Sequence, residues 1–405
     1  MAGDNIITLG GRETRPPAVL QVIPSLVSGG VERGTVEVAA ALKAAGWTAI
    51  VASAGGPMES GLIRAGIEHI RLPLTSKNPL VMRRNTAALV EIIRRYKIDI
   101  VHARSRAPAW SAWHAAKKTR RHFITTFHNA YDVSGPFKHR YNSVMARGER
   151  VIAISEFVAA HAAGVYGIGG DRLRTVPRGV DLNLFDAARV NGDRVVDLAA
   201  KWRVPDGHAV IMMPGRLTRW KGGLDLVEAV ARLDRPDVCC LLVGAEQNRG
   251  FRKELEAAIE RHGVGGQFRI VGDCRDITAA YVLADVVVSA STDPEGFGRT
   301  IVEAQAMGRP VIATDHGGAR ETVIPGRTGW LVPPGDPAAL ADAIDEALNL
   351  DPLERQALAQ RSRAHVAADF TCEQMCERTI EVYEELLFPE ARPVALAPEP
   401  MAILA

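Results

Sequence analysis

Along most of this chain, short runs of consecutive apolar residues alternate with longer stretches whose apolar positions recur every three or four residues. The short runs in the first half are Ala18–Ile23, Thr48–Ala52, Ile67–Leu72, Ile98–His102, Phe123–Phe127 and Val151–Ile154. A short run that is apolar on both faces predicts a strand buried on both sides, the pattern of a parallel sheet. Helical periodicity fills most of the gaps, as in Val31–Ala45 and Val81–Tyr96. A polar stretch over 186–208 reads as a linker with one helix, and then the alternation restarts. Its strands are Ala209–Met213, Val238–Val243, Phe268–Val271, Asp285–Ser289, Val311–Thr314 and Trp330–Val332, with a helix over Leu224–Leu233 after the first. Strands and helices in strict alternation predict an α/β chain with sheets covered on both faces. Two doubly wound domains follow, 18–185 and 186–370, facing across a cleft. Thr371–Leu387 carries one apolar stripe (Met375, Cys376, Thr379, Val382, Tyr383, Leu386, Leu387) and predicts an amphipathic helix. It is expected to cross back and complete the first domain as 371–388. Residues 1–17 and 389–405 show neither pattern and read as loose tails.

Composition narrows the functional classes. Hydrophobic residues make up 47% of the 405 and charged residues 24%, which suits a soluble chain with sizeable cores. A net charge of +2 gives no global case for nucleic acid as a partner. No eighteen-residue apolar run exists, and the start of the chain lacks an apolar signal core, so a cytoplasmic location is expected. Five unclustered cysteines fit reduced structural thiols. Cys372 and Cys376 stand one helical turn apart without further ligands, so no metal is expected there.

Candidate chemistry concentrates where strands end in glycine turns. Asp293-Pro-Glu-Gly-Phe-Gly-Arg299 follows the strand Asp285–Ser289 and opens a helix that runs to Gly308 and Pro310. A helix opening on a glycine turn presents free N–H groups suited to phosphate, here those of Phe297, Gly298, Arg299 and Thr300. Glu295 and Glu303 flank that opening. Pro214-Gly-Arg-Leu-Thr-Arg-Trp-Lys-Gly-Gly223 repeats the arrangement and sets Arg216 and Lys221 beside a helix start. Gly29-Gly30 follows the first strand, but without dinucleotide or P-loop spacing.

These motifs, in this order, resemble those of the group 1, GT4-type retaining glycosyltransferases, whose fold is GT-B with two Rossmann-like domains. Glu295-Gly-Phe-Gly through Glu303 resembles the family's E-x7-E motif. Gly215-Arg216 with Lys221-Gly222 resembles its Arg…Lys pair, and Gly29-Gly30 its N-terminal glycine loop. Gly317-Gly318 with Glu321 resembles its G-G-x-x-E segment. Pro177-Arg-Gly-Val-Asp181 resembles its P-N-G-V-D signature, with Arg178 where Asn is usual. The resemblance covers about residues 20–390.

The resemblance implies a nucleotide-sugar donor and a glycan or glycolipid acceptor, in bacterial-type cell-surface glycan synthesis (lipopolysaccharide, capsule or exopolysaccharide). It implies no cofactor and no metal, and the chain contains no Asp-x-Asp. The implied catalytic residues are His128, Glu295, Arg216 and Lys221. Gly30, Gly215, Gly296–Thr300 and Glu303 join them in holding the donor. Glu303 would take the ribose hydroxyls, Glu295 and His128 the sugar, and the two cations the pyrophosphate. His102, Arg104 and Asn129, at or just beyond strand ends, are the acceptor candidates. Two basic clusters, Lys117–His122 and Lys138–Arg140 with Arg147 and Arg150, have Phe137 and Tyr141 among them. They suggest an anionic membrane surface as a further partner. The alternatives are a nucleotide-sugar epimerase or glycogen-type synthase on the same fold, and a non-catalytic binding protein. A complete set of site residues argues against the last.

Overall fold

The structure, a computed structural model, describes residues 7–9, 12–27, 29–131, 134–247 and 249–391. Strands β1 (Ile7–Leu9) and β2 (Arg12–Thr14) form a small antiparallel hairpin. Part of the stretch expected to be a loose tail is therefore paired. The C-terminal tail beyond Ala391 lies outside the described residues.

Seven parallel strands follow: β3 (Ala18–Val22), β4 (Thr48–Ser53), β5 (Glu68–Arg71), β6 (Ile100–Ala103), β7 (His122–Phe127), β8 (Arg150–Ala153) and β9 (Leu173–Thr175). Their order is β5-β4-β3-β6-β7-β8-β9. Six more, β10 (Ala209–Pro214), β11 (Val238–Val243), β12 (Phe268–Gly272), β13 (Val286–Ser289), β14 (Val311–Thr314) and β15 (Trp330–Val332), form a second parallel sheet. It is ordered β12-β11-β10-β13-β14-β15. The central strands are buried along their length because helices cover both faces, which is why their sequences do not alternate. In each sheet the order reverses beside the first strand, between β3 and β6 and between β10 and β13. Loops leaving the carboxyl ends there diverge and open a crevice for ligand.

The chain crosses between the sheets twice, and the crossings touch. Val180 N–H donates to the Phe370 carbonyl and Cys372 N–H to the Val180 carbonyl, both at 2.9 Å. A Cβ on Gly179 would lie 2.1 Å from the Thr371 carbonyl oxygen, so this crossing needs glycine. Thr371 then caps the helix Cys372–Leu387 through a reciprocal box with Gln374. The apolar stripe of that helix packs on the first sheet. Met375, Cys376, Val382 and Tyr383 join Val38, Leu42, Trp47, Ile100, Ile124 and Ile152 in one core. Arg150 and Arg174 both bind Glu385 on the helix, at 2.6 and 2.8 Å. The last helix is thus a tether on the first domain, as its stripe predicts.

Candidate active site

A cavity of about 620 Å³ lies between the carboxyl ends of the two sheets, within the size range of small-ligand sites. The second domain supplies one wall. After β10, Gly215 takes a φ of 139° and a short 3-10 turn brings Lys221 round to the cavity. Gly222, at φ 77°, must be glycine: a Cβ would lie 1.8 Å from the Ala290 carbonyl oxygen. Arg216 lines the cavity with no hydrogen bond or ion pair to the described residues.

After β13 the chain turns through Glu295 and Gly296 into the helix Arg299–Ala306. No side chain caps that helix, and Gly298 enters it at φ 84°. The N–H groups of its first turn are left for a ligand. Two neighbours fix the turn. Gly318 N–H donates to the Glu295 carbonyl at 2.9 Å, and a Cβ on Gly318 would meet Phe297 Cα at 2.4 Å. Glu321 instead faces the first domain, accepting from Glu156 N–H at 2.8 Å and Phe157 N–H at 2.7 Å.

Sequence reading gives Lys221 to phosphate and Glu295 to sugar; in the structure the two pair, Nζ to Oε1 at 2.6 Å. Hydrogen bonds from Ser291 and, at 3.4 Å, Ser289 complete the carboxylate's surroundings. Burial opposes the charge on Glu295 most strongly, yet the Lys221 ammonium and the two hydroxyls together hold the carboxyl below its usual range. Glu303 is engaged as well: Oε1 accepts from Arg33 Nη1 at 3.1 Å, and Oε2 from the Tyr281 hydroxyl at 2.9 Å. Arg299 reaches across to Glu37 at 3.0 Å. These pairs join the first domain's glycine-led helix Gly30–Ala44 to the second domain's turn. A ligand's own charges and hydroxyls must exchange with them.

The first domain supplies the other wall. Gly29 and Gly30 start its helix at the cavity, and Glu32 in the first turn faces Arg216 and Arg178. Burial pushes the Glu32 carboxyl up, partly offset by its own backbone amide and by those two cations. His128 and Asn129 leave β7 at the same level. A Cβ on Gly296 would lie 2.6 Å from the His128 carbonyl oxygen, so the two domains touch there. Ser155 Oγ donates across the same junction to the Gly296 carbonyl at 2.5 Å. Asn129, exposed and lining the cavity, accepts at Oδ1 from Ala130 N–H at 2.9 Å.

His102 and Arg104 do not fit the acceptor role. His102 is fully buried, with Nδ1 at 2.7 Å from the Tyr383 hydroxyl and Nε2 at 2.7 Å from Thr126 Oγ1. Arg104 is 2% exposed and lies beneath the cavity wall. Both end a strand at the cleft, but their side chains are enclosed between the sheet and the tethering helix. Arg33 and Tyr281 line the cavity, Glu37 holds Arg299 of its lining, and none of the three is legible from spacing. The one available signal is Glu32-Arg33, one residue beyond Gly29-Gly30.

Two histidines, His102 fully buried and His128 half-buried with its Nε2 enclosed, make stability depend on pH. Burial first, and then Arg104 and Arg178, push both His102 and His128 well below the ordinary range. Below pH ~6.5 the unfolded chain therefore binds protons that the folded chain does not, so stability falls as pH falls. The pair is expected to cost at most about 4 kcal/mol between pH 7 and pH 5. Urea unfolding of wild type and H128N at the two pH values checks it: H128N should remove about half of the pair's share, the rest of the pH dependence including His69, His114 and His161, lowered by burial, and His122, raised by Glu149.

Residues 28–184 match the family described as "Glycosyltransferase Family 4", and residues 197–365 that described as "Glycosyl transferases group 1". The crystal structure of a glycosyltransferase from Rickettsia africae ESF-5 is 41% identical, covering 92% of this chain and 99% of its own, with a TM-score of 0.85. Anabaena Alr3699/HepE in complex with UDP and glucose is 25% identical over 91% of this chain and 99% of its own, TM-score 0.80. The D-inositol 3-phosphate glycosyltransferase of Jonesia denitrificans is 30% identical over 313 residues, 71% of each chain. With both domains matched in order and the sugar-nucleotide motifs gathered at one cavity, the chain belongs to the group 1, family 4 glycosyltransferases of GT-B fold, enzymes that transfer a sugar from a nucleotide-sugar donor.

Proposed function

We propose that this enzyme transfers its sugar with retention of configuration, without metal or cofactor, to a lipid-linked or polysaccharide acceptor of a bacterial-type surface glycan. The observation that carries this reading is the convergence of Arg216, Lys221 and an uncapped helix start on one side of the cavity, with His128 on the other. The donor's pyrophosphate lies at the cations and the helix start, and its ribose at Glu303. Its base lies toward the loop Asp273–Arg275, and its sugar lies between Glu295 and His128. As the bond from the anomeric carbon to phosphate breaks, its electron pair goes to the phosphate oxygen. That charge is held best by fixed cations and N–H groups, so the site favours the transition state over the bound donor. The acceptor oxygen attacks from the same face, and its proton passes to the leaving phosphate. Incubation with labelled nucleotide-sugars and a lipid or oligosaccharide acceptor, followed by mass analysis and determination of the new linkage, tests the reading. A product with the donor's anomeric configuration, formed in the presence of chelator, is expected; an inverted linkage or a metal requirement contradicts it.

We infer a cytoplasmic enzyme that touches the inner face of an anionic membrane. No helix among the described residues is long and apolar enough to span one. Support comes from Phe137, 88% exposed on the helix Pro136–Asn142 beside Lys138 and Arg140. Other members of the two basic clusters contribute less. Arg147 lies over the Trp113 ring at 4.3 Å, Arg150 holds Glu385 and His122 holds Glu149. Flotation with anionic vesicles at low salt is expected to carry the wild type and to weaken in F137S. Indifference to lipid charge refutes membrane contact.

A further inference from the structure

The interdomain segment departs from its family's usual pattern at one position, Arg178, and that side chain is buried in the wall of the cavity. Arg178 Nη2 lies 2.7 Å from His128 Nδ1. Its Nη1 meets only the Met375 sulfur, at 3.7 Å, and no carboxylate pairs with it among the described residues. A guanidinium is an obligate donor, so Nδ1 must accept and the ring proton must sit on Nε2. Nε2 is buried and has no hydrogen-bond partner among the described residues. The helix Gly30–Ala44 makes room for this arrangement. A Cβ at Gly34 would stand 2.2 Å from Arg178 Nη1 and 3.3 Å from Arg104 Nη2. A glycine inside a helix costs roughly a fivefold loss in helix preference relative to alanine, and here it vacates the volume that the guanidinium fills.

We infer that Arg178 is a positioning residue. It locks His128 in the neutral Nε2–H tautomer, so that the histidine meets the donor sugar as a hydrogen-bond donor and not as a cation or a base. This rests on the reading of His128 as the sugar contact. His128 lines the cavity and its Nε2–H is enclosed without a partner among the described residues, which suits a sugar hydroxyl or ring oxygen as acceptor once a small shift of the ring opens it to the donor, and being neutral it does not compete with Arg216 and Lys221 for the pyrophosphate. The surrounding charges act in the same direction. Burial, Arg178, Arg104 and His102 all disfavour a second proton on His128, and only a weak pull from the Arg104 backbone carbonyl opposes them. Glu37 from the first helix, Arg299 from the turn and Cys376 from the tethering helix act on Arg178 itself. Burial, then Arg104 and Arg299, push its guanidinium down to about 9, still charged at neutral pH.

The test is the ¹⁵N spectrum of the histidine rings in the full-length enzyme, with His128 assigned through H128N. Wild type is expected to show the Nε2–H tautomer with no titration between pH 5 and 8. In R178A the ring is expected to mix tautomers and to gain a midpoint at least one pH unit higher, with a matching acid limb in kcat/KM. R178K, which keeps a charged donor, should restore the tautomer, and G34A, which displaces the guanidinium from outside the cavity, should mimic R178A in part. A wild-type ring that carries its proton on Nδ1, or a His128 titration unchanged in R178A, overturns the inference. The spectrum needs neither donor nor acceptor, so it stands apart from the functional reading. Wild-type transfer by H128N would remove the sugar contact, and with it the kinetic role of Arg178.

Discussion

K221A and E295A are each expected to lower turnover at least ~100-fold, about 2.7 kcal/mol or more of transition-state stabilisation. The two side chains form one largely enclosed unit, 2.6 Å apart and 14% and 16% exposed. In the free enzyme the carboxylate neutralises the ammonium. In the proposed mechanism, Lys221 gains a stronger partner as the leaving group develops its charge, while Glu295 turns to the sugar hydroxyls. Removing Lys221 therefore strips the phosphate of a cation and also leaves Glu295 held only by Ser289 and Ser291. Removing Glu295 frees the lysine but loses the sugar's acceptor. The single effects should not add in the double variant, because each deletion already disables the pair. E295Q keeps the shape and the serine contacts, and separates charge from packing. Breaking a buried pair also costs stability, so rates belong at a temperature well below each variant's melting point. Near-normal rates in both single variants would sink the site assignment.

Y383A is expected to destabilise the protein by about 3–5 kcal/mol, as deletion of a buried aromatic ring does. The side chain is fully buried and stands edge-on to His102, with ring centroids 5.7 Å apart. Its hydroxyl lies 2.7 Å from His102 Nδ1. Truncation opens a cavity under the tethering helix and leaves a buried ring nitrogen without its partner. Y383F removes only the hydroxyl, and about 1–3 kcal/mol is expected from the unsatisfied group. Hydrogen exchange across residues 372–387 should rise far more in Y383A than in Y383F. A Y383A variant within about 1 kcal/mol of wild type would show that the helix docks by other means.

What could be read from the chain beforehand follows from what each pattern encodes. Buried parallel strands announce themselves as unbroken apolar runs, so β3, β4, β6, β7, β8, β10, β11, β13 and β14 were legible to within a residue or two. Strand β9, Leu173-Arg-Thr175, was not: it is an edge strand, half-buried, with one apolar residue. The turn residues of the cavity were legible because close backbone approach demands glycine. Gly222 against Ala290 and Gly296 against His128 are the clearest cases. Side chains that reach the cavity from a remote helix leave no such mark. Tyr281 meets Glu303 from the helix Ile277–Leu283, and Arg33 meets it from the other domain. His102 and Arg104 were misplaced for a related reason. A strand's end fixes how close a residue lies to the cleft, but the face it points to alternates along the strand. For His102 that face is covered by a residue 281 positions away in sequence. Arg178 stood out as a departure from pattern; its partner His128, 50 residues earlier, emerged only in the fold.

The measurement that bears most directly on the donor site is calorimetric titration of the free enzyme with a panel of nucleotide-sugars and their nucleoside diphosphates. At least one nucleotide-sugar is expected to bind with one site per chain and to raise the melting temperature as mass action requires. K221A and R216A are each expected to weaken it. Binding of no nucleotide-sugar, or binding that neither substitution changes, would contradict the placement of the donor in this cleft.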